Sequence, residues 1–142
     1  MHVQVEASIR LGAVPVLGCV PLDGPGFFYP PSILDRVWPG MPAHDEEMFG
    51  PAAVIVRAKD AAEALALANQ HRYGLGASVW TRDLERGECF ARGLECGLAF
   101  VNGVVRSDPR CPFGGVKASG YGRELGGFGL REFVNVKTVW VG

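Results

Sequence analysis

The chain is 142 residues long, 48% hydrophobic and 20% charged, an ordinary balance for a folded soluble domain. A formal net charge of −1 supplies no field to recruit nucleic acid or an anionic membrane, and no apolar run approaches the ~20 residues that span a bilayer. The opening Met1-His2-Val3-Gln4-Val5-Glu6 lacks the basic and apolar regions of a secretory leader, so the expected compartment is the cytoplasm.

Val3 to Leu11 is predicted to be helical, with Val5 and Ile9 one turn apart and Gly12 as the stop. No capping residue precedes this helix, which is expected where an upstream part lies outside the sequence. Ala13 to Val20 reads as a strand and Pro21 to Pro42 as a proline-rich loop. Within that loop, Phe27 to Leu34 is extended, because a residue before proline avoids the helical region, and its aromatics are expected to pack as core. Next comes Glu46-Glu47-Met48-Phe49-Gly50-Pro51, two acids and an aromatic on a Gly-Pro turn.

Ala52 to Val56 has the uniform apolar character of a strand buried on both faces. Asp60 and Glu63 form a capping-box pair for a helix from Ala61 to about His71. Gly74 to Thr81 is a strand, and Asp83 caps a second helix whose Phe90, Ala91 and Leu94 make its apolar stripe. Gly87 and Gly93 each weaken that helix by ~1 kcal/mol relative to alanine. Leu98 to Val101 is a third strand, reaching Asn102-Gly103. This alternation predicts an α/β fold, with right-handed crossovers and a covered parallel sheet. Ligands are then expected in the loop after the third strand, residues 104–115. Phe133 to Val141 alternates as a terminal strand, either at a sheet edge or pairing with another subunit.

Cys19, Cys89, Cys96 and Cys111 form no C-x-x-C pair, and His2, His44 and His71 stand far apart, so no metal centre is expected and the thiols are read as reduced and mostly buried. Cys111, beside Arg110, is the best placed of the four for a nucleophile, but with no histidine close in sequence it reads as a packing cysteine lining a pocket. Gly120-x-Gly122 is no dinucleotide fingerprint, because no strand precedes it and the third glycine stands at 126. Half of the 20 glycines follow residue 96, as expected of a backbone that turns tightly or approaches something closely. The residues Glu46, Glu47 and Phe49 leave two readings open. They are either solvated acids in a turn, or an acid accepting two ribose hydroxyls beside an aromatic that packs on a planar ring.

Ordered along the chain, Phe28-Tyr29-Pro30-Pro31-Ser32-Ile33-Leu34, Glu46 to Pro51, Ala68-Asn69 with Tyr73-Gly74-Leu75, Val101-Asn102-Gly103 and Ser107-Asp108-Pro109 form one pattern with Pro112-Phe113-Gly114-Gly115-Val116-Lys117-x-Ser119-Gly120-Tyr121-Gly122-Arg123-Glu124-Leu125-Gly126 and Lys137-Thr138-Val139-Trp140. This set resembles the aldehyde dehydrogenase superfamily, most closely its succinate-semialdehyde dehydrogenase branch. The resemblance implies oxidation of an aldehyde to an acid with NAD or NADP, through a cysteine thiolate, hydride transfer and a glutamate-activated water. It implies that Glu47 binds the nicotinamide-side ribose hydroxyls and that Phe49 packs near that ribose and ring. Ser107 and Phe113 match positions lining the aldehyde tunnel, and a serine at the first position helps hold a substrate carboxylate in that branch.

By the same resemblance, residues 1–125 correspond to the C-terminal portion of the catalytic domain, and residues 126–142 to a tail and oligomerisation strand. The Gly-Gln-x-Cys nucleophile motif has no match, and both the Glu-Leu-Gly-Gly motif carrying the general base and the N-terminal dinucleotide-binding domain are read as absent. No catalytic residue is therefore assigned. The expected partners are a small aldehyde and further subunits, with neither nucleic acid nor membrane. The chain is expected to be a fragment inactive by itself; the alternative is a non-catalytic assembly module that docks on full-length homologues through its last strand.

Overall fold

Val5 and Ile9 share one face of α1 (His2–Arg10), and the helix ends as Gly12 requires. Gly12, at φ 109, donates its N–H to the Ile9 carbonyl and Ala13 donates to that of Ser8, so two otherwise orphaned carbonyls are satisfied. The computed structural model describes every residue from Met1 to Gly142, in two compact units, Met1–Ala64 and Leu65–Gly142. No helix is long and apolar enough to cross a membrane.

In the first unit, β1 (Val14–Leu17), β2 (Ser32–Val37) and β3 (Ala52–Val56) form a sheet in that order. The β1–β2 pairing is antiparallel and β2–β3 parallel. A short α2 (Pro42–Asp45) starts on a proline, whose missing N–H costs nothing at a first helical position. The core gathers Val5, Ala13, Cys19, Leu34, Val37, Met41 and Ala43. Two buried hydroxyls tie it together. Ser8 Oγ donates to the Gln4 carbonyl and accepts from the Ala43 N–H at 2.9 Å. Ser32 Oγ accepts from the Cys19 N–H and donates to the Pro30 carbonyl, both at 2.8 Å.

Three expectations are corrected here. The stretch read as loop contains β2, whose Ser32, Leu34 and Val37 point inward because the register shifts between Leu34 and Val37. Phe27 and Phe28 are not core: the loop closes from the Leu22 N–H to the Phe28 carbonyl, and the Phe28 ring lies over Gly26 instead. Finally, β3 is not buried on both faces, since Val54 and Ile55 are 36% and 42% exposed.

Helix α3 (Ala61–Gln70) starts on a shifted capping box. Asp60 accepts from the Glu63 N–H, while Glu63 reaches back to the N–H of Lys59 instead of Asp60.

The second unit breaks the expected strand at Leu75. β4 (Tyr73–Gly74) pairs antiparallel with β7 (Val116–Lys117), and β5 (Gly76–Val79) pairs parallel with β6 (Leu98–Val101). Helix α4 (Leu84–Gly93) supplies the crossover, capped by Asp83 through the Arg86 N–H. The single parallel sheet expected from three strands is not formed: β3 pairs with β2, and only β5-α4-β6 keeps the parallel unit. A last helix, α5, covers Gly126–Arg131.

The buried positions of this unit are glycines, at 74, 87, 115 and 129. At Gly87 a side chain would meet Thr81 and Val101, and at Gly93 it would meet Leu65. Residues that read as costs to the helix are thus its packing points. The predicted terminal strand makes no ladder: residues 135–142 lie outside any helix or strand, and Val136 and Trp140 are exposed. A strand needs a partner edge, and none is offered within the unit. Of the thiols, Cys19 is buried, but Cys89 and Cys111 are exposed, against the expectation of mostly buried cysteines.

Candidate functional site

The acid-aromatic turn leaves α2 extended, with Glu46 at φ −115 and ψ 158. Its two ends are fastened by backbone, the first through the Glu46 N–H, which donates to the Pro42 carbonyl at 3.0 Å. The Ala52 N–H donates to the Gly50 carbonyl and the Ser32 N–H to that of Pro51, both at 2.8 Å, and the Met1 side chain lies where a side chain at residue 50 would stand. Gln4 Nε2 donates to the Glu46 carboxylate at 2.8 Å and to the Glu47 carbonyl at 3.2 Å. The two acids are therefore not equivalent. Glu46 is engaged, whereas the Glu47 carboxylate is exposed and in no hydrogen bond or ion pair. Phe49, two residues on, is 88% exposed. A free carboxylate with a bare ring beside it, on a fastened turn, fits a vicinal diol attached to a flat heterocycle.

The loop after β6 begins with Asn102 at φ 53. Its side chain accepts from the Thr81 N–H at 2.9 Å and donates to the Thr81 carbonyl at 2.8 Å, which fastens the carboxyl ends of β5 and β6 together. Farther along, Arg110 grips Asp108 with Nε and Nη2, at 2.9 and 2.6 Å, and with its own N–H. This grip, the guanidinium first and the backbone second, lowers the Asp108 carboxyl from 3.8 to about 2. Ser107 is exposed on this loop, outside the groove described next.

An open groove of about 910 Å³ lies in the second unit, with Leu75, Phe113, Tyr121, Glu124 and Phe133 among its lining residues. Phe113 is half-buried there and exchanges both backbone hydrogen bonds with Glu124, at 2.7 and 2.8 Å. Two carboxylates line the groove, Glu124 and Glu132, but no thiol does. Cys111 lies outside it, which corrects the reading of that residue as a pocket cysteine. The Glu-Leu-Gly-Gly string expected to be absent does occur once, as Glu124-Leu125-Gly126-Gly127 inside the glycine-rich tail match, which corrects that expectation. Of the four predicted site residues, Glu47 and Phe49 thus share one turn of the first unit. Ser107 and Phe113 share one loop of the second, and only Phe113 reaches the groove.

Several polar residues inside the matched motifs received no role from sequence. Asn69 donates to the Gly93 carbonyl and accepts from the Glu95 N–H, both at 2.8 Å, tying α3 to the α4–β6 turn. Ser119 Oγ accepts from the Gly74 N–H at 3.0 Å. Arg123 donates to the carbonyls of Gly115 and Gly122, at 2.7 and 2.6 Å. For Ser119 and Arg123 the available signal was a neighbouring glycine, where backbone groups lie bare and a side chain is needed to satisfy them; Asn69, between Ala68 and Gln70, carries no such signal.

The model of the aldehyde dehydrogenase family matches residues 1–139. Over 140 residues the chain is 51% identical to the Escherichia coli succinate semialdehyde dehydrogenase of the NAD(P)+ type, covering 99% of this chain and 30% of that protein. Over 139 residues it is 48% identical to a Mycobacterium ulcerans succinate-semialdehyde dehydrogenase of the NADP(+) type, covering 98% and 30%. Among solved structures, succinic semialdehyde dehydrogenase from Streptococcus pyogenes, in complex with NADP+ as the cofactor, superposes with a TM-score of 0.92 at 35% identity, covering 99% of this chain and 31% of that one. The chain thus spans about 30% of the length of the curated relatives it matches.

Proposed function

The chain belongs to the aldehyde dehydrogenase family, and from that premise we propose that it contributes residues to the active site of an NAD(P)-dependent enzyme oxidising succinate semialdehyde to succinate. The observation that carries this reading is the pairing of an unengaged Glu47 carboxylate with the bare Phe49 ring on a turn fastened at both ends. When bound, the nicotinamide cofactor supplies a hydride acceptor. Glu47 accepts hydrogen bonds from the two ribose hydroxyls next to the nicotinamide, and Phe49 packs against that end. Ser107 donates its hydroxyl to the far carboxylate of the substrate, while Phe113 covers the aliphatic span between carboxylate and aldehyde. Residues 1–125 act as part of the catalytic domain and 126–142 as a tail that pairs with a neighbouring subunit. A cytoplasmic setting belongs to the same reading and is supported by four unpaired cysteines.

Residues 1–142 alone do not turn over in this reading: no Gly-Gln-x-Cys occurs, and no thiol lines the groove. The test is a chimera in which these residues replace the matching stretch of the Escherichia coli relative. It is expected to oxidise succinate semialdehyde, and Glu47→Gln should raise the KM for the nicotinamide cofactor by about tenfold, the loss of a charge-assisted acceptor. Turnover by the 142-residue chain alone, abolished by Cys111→Ala, would overturn the division of labour. A second reading, a non-catalytic module that docks on full-length homologues, draws on the exposure of Val134, Val136 and Trp140. Co-sedimentation with the full-length relative that disappears when residues 134–142 are removed, together with an inactive chimera, would favour it.

A further inference from the structure

The loop between β6 and β7 carries Ser107 and Phe113, and its two feet share an unusual feature. Asn102 and Lys117 are both non-glycine residues in the left-handed region, at φ 53 and 56. Such a conformation persists only where the surroundings over-determine it. At each foot a side chain does so. Asn102 exchanges two hydrogen bonds with the Thr81 backbone. Lys117 Nζ donates to the carbonyls of Asn69 and His71, at 2.5 and 3.3 Å, and pairs with Glu95 at 2.8 Å.

The Lys117 ammonium thus sits at the C-terminal end of α3, where bare carbonyls and the helix dipole favour a cation. Its side chain is only 25% exposed, while Glu95 is 60% exposed. The Asn69 side chain, already fixed to Gly93 and Glu95, holds the other side of the same junction. Just upstream of this foot, the carbonyl of Gly114 lies where a side chain at Gly97 would stand, leaving the backbone no slack.

We infer that Asn102 and Lys117 are positioning residues, two side-chain pins that set the path of residues 103–116 and hence where Ser107 and Phe113 meet the substrate. The consequence for substrate rests on the proposed aldehyde dehydrogenase reading; the pinning itself does not. Neither residue touches substrate. Loosening either foot should blur the placement of the loop while leaving the cofactor turn, in the first unit, as it was.

Two readouts separate these claims. Amide exchange on the full chain tests the pins without any activity. Lys117→Met keeps the aliphatic stem and removes the cation, and should accelerate exchange at Cys111 and Phe113 about tenfold, with residues of β2 unchanged. Asn102→Gly keeps the left-handed backbone at no steric cost and removes only the amide bonds, and should act alike. Glu95→Ala removes the exposed partner alone and should give about a threefold effect. If Lys117→Met does not fold, Glu95→Ala decides for that foot. In the active chimera, both pin variants should raise the KM for succinate semialdehyde more than they lower kcat, with the KM for the nicotinamide cofactor unchanged. Exchange at Cys111 and Phe113 that stays at the parent rate in Asn102→Gly and in Lys117→Met or Glu95→Ala overturns the inference. Faster exchange with an inactive chimera keeps the pins and sinks only the aldehyde reading.

Discussion

Single residues in this chain divide by whether their polar groups are already engaged. Glu46 is bound by Gln4, while Glu47 is left for something else. The same distinction gives Asp108 its behaviour. Its carboxyl is held at about 2 by the Arg110 guanidinium and then by the Arg110 N–H. A folded-state value below the unfolded one means the contribution to loop order is present above about 4 and is lost as pH falls through about 2. The Asp108 carboxyl carbon, followed by NMR from pH 6 to 1.5, should titrate near 2, and exchange at Cys111, whose N–H donates to the Asp108 carbonyl at 2.9 Å, should quicken over the same interval. A midpoint at the ordinary 3.8 would mean the Arg110 grip does not exist in solution.

Elements were legible where local chemistry and tertiary pairing agreed. Helices α1, α3 and α4 announce themselves through Gly12, Asp60 and Asp83, whose side-chain or backbone bonds are made within a few residues. Strand β2 did not, because prolines 30 and 31 precede it and its inward set, Ser32, Leu34 and Val37, breaks strict alternation at the register shift. Missing β2 also misassigned β3, whose actual neighbour it is. The turn at Glu46–Pro51 was legible as a motif, but which acid is free depends on Gln4, 42 residues away from Glu46 in sequence. Asn102 and Lys117 were visible as letters only, since their partners are backbone groups that no sequence pattern marks. The structural weight of β2 can be measured. Leu34 is fully buried at the centre of the first unit, so Leu34→Ala should destabilise it by about 2–5 kcal/mol through lost burial and a residual cavity. Chemical denaturation of the full chain, read by exchange at α1 and β2, checks this; a change below about 1 kcal/mol would show that Leu34 does not anchor this core.

At the scale of the whole chain, the question is what its uncovered apolar surface does. The second unit buries glycines in place of large side chains, and Trp80, Tyr121, Phe128, Leu130, Phe133 and Trp140 are all more than half exposed. The alternating tail adds Val134, Val136 and Val141, and residues 135–142 lie in no ladder, so an edge brought near could pair with them. Net charge is only −1, so little repulsion opposes association. The 142-residue chain is therefore expected to self-associate at micromolar concentration. In sedimentation velocity its weight-average coefficient should rise with concentration, and removal of residues 134–142 should weaken that rise without abolishing it, because the aromatics around α5 remain. Within the chimera, where the matching surfaces of the relative are present, the same residues should lose their concentration dependence beyond the relative's own assembly. A 142-residue chain that sediments as one monomeric species up to about 100 μM would show that these faces close over one another in solution, and that the exposed aromatics are not a surface awaiting a partner.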